Sequence, residues 1–141
     1  MPSYLRTILL VDDDPAWLRT VRILLLSQGI HRVLTCEDSR QLLDLLQQQP
    51  VNLILLDHQM PHLNAEQLLP LLQKNHQDIP VIVFSGQTQP EIPGRCQELG
   101  ALSFFPKTTL PENLLAKIHR TLVLQHLRRA HITKPYQPPA T

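Results

Sequence analysis

Val51-Asn52-Leu53-Ile54-Leu55-Leu56-Asp57-His58-Gln59-Met60-Pro61 is the stretch on which the fold turns. From Val51 to Leu56 it is apolar apart from Asn52, and it stops on a carboxylate followed by a Pro-containing turn. Strict alternation of polar and apolar residues would describe a strand with one wet face. An unbroken run describes a central strand covered on both faces, as in a parallel sheet layered with helices.

The flanking sequence supplies those helices. Toward the N-terminus, Arg6 to Val11 is strand-like, and Pro15 to Gln28 has a helical period that places Trp17, Val21, Leu24 and Leu25 on one face. Asp13 or Asp14 suits the cap of that helix, Pro15 its first turn, and Gly29 its stop. His31 to Thr35 reads as a second strand, and Ser39 as the cap of a helix whose Leu42, Leu43, Leu45 and Leu46 precede the Pro50 break. Toward the C-terminus, Asn64 to Asn75 carries Leu68, Leu69, Leu71 and Leu72 at helical spacing, with Pro70 removing a backbone donor and bending the helix near its start. Ile79 to Phe84 is a fourth strand. Gln87 to Leu99 holds a fourth helix that Pro90, Pro93 and Gly94 make short or late in starting. Ala101 to Phe105 is a fifth strand, and Pro111 to about Leu127 an amphipathic helix with Leu114, Leu115, Ile118 and Leu122 inward.

Five strand and helix pairs in strict alternation define an α/β protein with a doubly wound, five-stranded parallel sheet, because right-handed crossovers put helices on both faces. The expected organisation is one domain over residues 1–127 and a Pro-rich tail or linker over 128–141, where Pro135, Pro138 and Pro139 stand in a stretch without periodicity that is expected to be disordered. A chain of 141 residues, 43% hydrophobic and 18% charged, suffices for one core. Its net charge of +1, with acids and bases interspersed, lacks the basic face that electrostatic nucleic-acid binding requires, so no direct nucleic-acid contact is expected. Met1 to Arg6 has no apolar signal region and no run approaches the length of a membrane span, which points to a cytoplasmic protein without membrane contact. Cys36 and Cys96 have neither CxxC spacing nor a Cys/His set nearby and read as packed thiols.

Ligands of open α/β sheets bind at the carboxyl ends of the strands, which lie side by side in a parallel sheet. Asp12 and Asp13 follow the first strand, Asp57 ends the third, Ser85 follows the fourth and Lys107 lies beyond the fifth. Three carboxylates, a hydroxyl and an ammonium suit a hard divalent cation and a phosphoryl group. A carboxylate is a poor nucleophile toward a phosphoryl group because two anions repel, so a divalent cation must neutralise the oxygens and hold the attack in line. Mg²⁺ takes oxygen ligands and keeps waters, so this set needs no His or Cys. With Asp57 phosphorylated, the Lys107 charge and the Ser85 donor would satisfy the remaining oxygens. Seen alone, Asp12 to Asp14 is an acidic helix cap, Asp57 the end of a strand, and Lys107 a solvated charge. None of these accounts for their coincidence. His58 and His62, four apart in a Pro-containing turn, read as surface residues rather than a metal pair.

Leu10-Val11-Asp12-Asp13-Asp14, Asp57-His58-Gln59-Met60-Pro61, Ser85-Gly86 and Phe104-Phe105-Pro106-Lys107, in this order and spacing, resemble the receiver domain of two-component response regulators over Thr7 to His126. The resemblance implies a flavodoxin-like (βα)5 topology and transfer of a phosphoryl group from a kinase histidine to one aspartate. It makes Asp57 the phospho-acceptor and Asp12 and Asp13 the acidic pair binding Mg²⁺, with the backbone carbonyl of Gln59 completing the metal site. It also makes Ser85 the hydroxyl that turns toward the phosphoryl oxygens, Lys107 their cation, and Phe104 an aromatic that changes rotamer with Ser85, at a position that otherwise reads as plain core. A sensor histidine kinase or phosphotransfer protein would then switch a surface formed by the fourth helix, fifth strand and fifth helix, presented to an output domain in cis or to a second copy in a homodimer. Such a domain is a phospho-acceptor switch, not an enzyme in its own right. Trp17, Thr35-Cys36, Met60-Pro61-His62 and Lys107-Thr108-Thr109 look similar to receivers that precede sigma-factor-activating ATPases.

Some positions depart from the family pattern. Thr108 stands where many receivers have a proline after the lysine, and Ala65 where glycine is usual, which strains the chain if φ there is positive. The fourth-helix region is shorter and richer in proline than in common members. Gln59 and Gln87, two past Asp57 and two past Ser85, occupy positions that tune phosphoryl lifetime in the family. Two other function classes compete. A pseudo-receiver working as a phosphate-independent interaction module is motivated by the irregular fourth helix and opposed by the intact acid and lysine set. A metal-dependent phosphohydrolase would need an aspartate as general acid two residues after the nucleophile, where Gln59 stands.

Overall fold

A computed structural model of the chain describes residues 6–86, 89–133 and 139. Its third strand, β3 (Leu53–Asp57), is buried at every position, as the unbroken apolar run requires. Around it lie β1 (Thr7–Val11), β2 (Arg32–Cys36), β4 (Val81–Ser85) and β5 (Ser103–Pro106), all parallel, in the order β2-β1-β3-β4-β5. The helices between them are α1 (Pro15–Ser27), α2 (Leu42–Gln48), α3 (Ala65–Asn75) and α4 (Glu91–Glu98), followed by α5 (Pro111–Thr133). This is the expected five-stranded parallel α/β sheet with flavodoxin-like strand order.

Side chains alternate across the sheet. Leu9, Val11, Ile54, Leu56, Val81 and Val83 join Leu42 and Leu46 of α2, Leu68, Leu69 and Leu72 of α3, and Ile92 and Cys96 of α4 in one core. On the other face α1 lies against β1 and β2 and buries Leu18, Val21 and Leu25. Leu18 takes the inward place expected of Trp17, which is half-buried.

Local chemistry fixes the ends of the helices. Asp14 caps α1, its side chain accepting from the Ala16 and Trp17 amides at 3.0 and 3.4 Å. Gly29, at φ +85°, ends it, and the Ile30 amide returns to the Leu25 carbonyl at 3.2 Å. Asn64 and Gln67 form a reciprocal capping box at the start of α3, which continues through Pro70. Ala65, its first residue, is fully buried and unstrained. The positive φ of this loop falls instead on His62, at 73°.

Ser39 does not cap a helix. Asp38 caps a short 3-10 turn, Ser39–Gln41, that leads into α2. The buried Ser39 hydroxyl donates to the Pro61 carbonyl at 3.0 Å and accepts the Leu63 amide at 3.1 Å. A capping residue and a long-range tie look alike in sequence, because both ask for a small hydroxyl in a turn.

The chain divides into a unit ending at Thr109, which holds the sheet and α1 to α4, and a unit starting at Leu110, which holds α5. In the second unit the Asn113 and Leu114 amides bond the Leu110 carbonyl, and Pro111 occupies the first turn. The helix runs to Thr133, past the expected end at Leu127. Gln125 to His131 contains no Pro or Gly and several good helix formers, so propensity carried the helix on until near Pro135. Half of the expected tail, and Gln87, lie outside the described residues. Among the described residues, no helix is long and apolar enough to cross a membrane.

Candidate functional site

The parallel register brings five predicted side chains to one edge of the sheet. Asp57 pairs in register with Phe84, and Ser85 with Pro106, directly before Lys107. Asp12 continues β1; its amide donates to the Cys36 carbonyl at 3.1 Å, and its Oδ1 accepts the Asp14 amide at 2.9 Å. That turn points a fully buried carboxylate inward, while Asp13 stays exposed. Carboxylate oxygens of Asp12, Asp13 and Asp57 lie within 4.8 Å of one another.

Lys107 answers this charge. Its Nζ is 2.6 Å from Asp12 Oδ2 and 3.6 Å from Asp57 Oδ1. Desolvation opposes the ammonium, but its hydrogen bond to Asp12 and the charges of Asp57 and Asp12 prevail and raise its pKa. Burial, then the Asp12 carboxylate, push Asp57 up to about 7, against the attraction of Lys107 and a hydrogen bond from the Gln59 amide. Buried carboxylate charge thus exceeds what one ammonium balances. An all-oxygen donor set with surplus negative charge fits a hard divalent cation, so the acidic cluster is able to hold a metal ion.

The Lys107 amide donates to the Ser85 carbonyl at 2.8 Å, and the Thr109 amide and hydroxyl bond the Pro106 carbonyl at 3.0 and 2.6 Å. These bonds hold the loop after β5 against the end of β4; the Lys107–Thr108 peptide is trans. Ser85 is 1% exposed. Val83 pairs in register with Phe104, so Ser85 and Phe104 are diagonal neighbours on one sheet face. Phe104 packs partly buried on the core of that face.

Two residues at the site were not foreseen in these roles. Trp17 lies beneath Lys107, with Nζ 5.1 Å from its ring centroid, and its ring is 5.7 Å from Phe84, which stacks on Phe105 at 5.9 Å. The available signal was its place in the first turn of the helix that starts at the acidic pair. His58 is not a surface residue: it is 5% exposed, with its ring edge-on to Phe104 at 6.4 Å and Nε2 3.0 Å from Glu66 Oε1. The strand's alternation continues one residue beyond Asp57 and turns this ring under α3. His62 remains exposed, as expected.

Comparison with known proteins agrees with this geometry. A family model described as response regulator receiver domain matches residues 8–119. The Escherichia coli (strain K12) transcriptional regulatory protein CpxR is 36% identical over 132 residues, 92% of this chain and 53% of that protein. A probable cyclic di-GMP phosphodiesterase of Vibrio cholerae is 31% identical over 121 residues, 82% of this chain and 26% of that protein. The chain therefore spans only part of the curated relatives it matches. A solved response regulator receiver domain protein (CheY-like) from Methanospirillum hungatei JF-1 superposes with a TM-score of 0.82 at 27% identity, covering 89% of this chain and 99% of that one. With sheet order, site and family pattern in agreement, the chain belongs to the receiver domains of two-component response regulators.

Proposed function

We propose that Asp57 is the phospho-acceptor, taking a phosphoryl group from a phosphohistidine of a sensor histidine kinase or phosphotransfer protein. The observation that carries this reading is the gathering of Asp57 with Asp12 and Asp13 within 4.8 Å, beside the Lys107 ammonium. In the transfer an Asp57 Oδ–P bond forms as the histidine N–P bond breaks, and the imidazole leaves with the electron pair. Asp12, Asp13, Asp57 and the Gln59 carbonyl would hold Mg²⁺, a hard-oxygen set. When bound there, it would supply the positive charge that lets a carboxylate approach the phosphoryl oxygens.

The chain's own groups then divide the work. Lys107 exchanges its contact with Asp12 for a phosphoryl oxygen, and the Ser85 hydroxyl donates to another. Phe104 follows Ser85 on the same face, converting the charge at Asp57 into a changed surface at α4 and β5. The Gln59 amide, two past Asp57, neither blocks water nor activates it strongly, giving hydrolysis of intermediate rate. The module acts as a switch and presents the changed surface to an output domain in cis or to a second copy.

Acetyl phosphate and Mg²⁺, followed by intact-mass measurement, test the proposal. One phosphoryl adduct that needs Mg²⁺ and disappears in Asp57→Asn is expected. No adduct on the wild-type chain would overturn the reading in favour of a phosphate-independent interaction module.

A further inference from the structure

His58 is fixed on two sides by its own backbone. Its amide donates to the Phe84 carbonyl at 2.7 Å, and its carbonyl accepts the Ala65 amide at 3.1 Å. The main chain that carries the ring is thereby tied to the end of β4 and the start of α3. Nε2 donates to Glu66 Oε1 at 3.0 Å, while Nδ1 is buried without a hydrogen-bond partner among the described residues. Glu66 is the ring's polar anchor. The second oxygen of that carboxylate accepts from Arg95 Nη1 of α4 at 3.1 Å. Glu66 is held ionised from both sides: the hydrogen bond from His58, then that from Arg95, lower its pKa.

The far end of this chain is a weak helix. α4 has eight residues, begins at Pro90 with no side-chain cap, and contains Pro93 and Gly94. Ile92 and Cys96 bury it in the core, and Arg95 ties it to α3. A helix so short and uncapped has little stability of its own, so its placement depends on a few anchors. The near end touches the switch, because the ring of Phe104 stands edge-on to His58.

We infer that the His58–Glu66–Arg95 chain is a positioning relay that couples the state of Asp57 to the placement of α4. The inference rests on Asp57 being the phospho-acceptor. A phosphoryl group on Asp57 shifts the backbone that carries His58, and Phe104, repacking with Ser85, presses on the same ring. Any tilt of the ring moves the Nε2–Oε1 bond. Glu66 shares its two oxygens between His58 and Arg95, and so hands the change to α4. Arg95 is largely exposed, and an exposed ion pair contributes little to global stability. The relay is therefore read in the response of α4 and not in the unfolding midpoint.

The test compares the full wild-type chain with Glu66→Ala, Arg95→Ala, the double variant and Arg95→Lys. Each is first assayed for the acetyl phosphate adduct by mass, then for amide hydrogen exchange over residues 91–98 with and without Mg²⁺ and beryllofluoride. All variants should take the adduct as the wild type does. The beryllofluoride-dependent change in exchange over α4 should fall by about threefold or more in each alanine variant, no further in the double, and be kept in Arg95→Lys. Equal shifts in both states with the difference intact would reduce the chain to a structural anchor and overturn the inference, as would losses that add in the double variant. A wild-type chain that takes no adduct fails at the mass step, removing the acceptor reading and this inference together.

Discussion

Replacing Asp57 by Asn should stabilise the metal-free domain by an amount that depends on pH. Asp57 is 4% exposed, and burial with the Asp12 carboxylate pushes its pKa from an ordinary 3.8 to about 7, Lys107 offsetting only part of the cost. Between those two values the unfolded chain has lost a proton that the folded chain retains. Stability therefore falls as pH rises, by about 1.4 kcal/mol per pH unit. Over about 3 units the penalty approaches roughly 4 kcal/mol, complete above the folded pKa and absent below the unfolded one. Asn has the shape of the protonated acid and does not titrate. The difference between the two proteins cancels the titration of groups that do not interact with Asp57, and should climb from near zero at about pH 4 to a plateau of about 2–4 kcal/mol above about pH 7, the lower figure allowing for relaxation at the site and the response of Asp12 and Lys107. Urea unfolding of both proteins in EDTA, across that pH range, measures it. A flat difference, or an Asn variant less stable than wild type above neutrality, would refute the reasoning, because it would mean that Lys107 prevails over burial and Asp12 together.

Three further outcomes are expected. Mg²⁺ at 100 times its Kd should stabilise the wild-type domain by about 2.7 kcal/mol, and the stabilisation should vanish in Asp12→Asn; thermal unfolding across a Mg²⁺ titration checks both. Lys107→Ala leaves Asp12 buried without its cation and should cost about 3 kcal/mol in denaturant unfolding near neutral pH. Ser39→Ala deprives the Pro61 carbonyl and the Leu63 amide of their shared partner, and should lower stability by about 1–2 kcal/mol without abolishing the phosphoryl adduct, as unfolding and mass measurements on the same sample would show.

The sheet was legible because its information is local: short apolar runs such as Leu53 to Leu56, each closed by turn residues and followed by a helical period, fit doubly covered strands. The acids, Ser85 and Lys107 were legible for a related reason, since each stands at the end of such a run and parallel pairing aligns the ends. The readings that failed depend on contacts between distant segments. Ser39 has a cap's chemistry but spends its hydroxyl on the loop after β3. A histidine in a turn belongs outside by its polarity, and His58 is inside because Glu66, eight residues on, gives it a partner. Trp17 lost the deepest place on α1 to Leu18, since its ring reaches sideways to Phe84 and Lys107. The end of α5 was misplaced because missing periodicity was taken for missing helix, although Pro135 was the first residue able to stop it.

The parallel order of the strands has a consequence in time. Asp12, Asp57, Ser85 and Lys107 come from the first, third, fourth and fifth of the five βα repeats, so no fragment shorter than Asp12 to Lys107 contains the whole constellation. A ribosome working at roughly 5–20 residues per second delivers Lys107 about 3–10 s after Asp57. During that interval any partly assembled sheet has its two facing carboxylates and no ammonium between them. The last strand thus supplies both the closing edge of the sheet and, directly after it, the ammonium that pairs with Asp12, so the constellation is complete only when the sheet is.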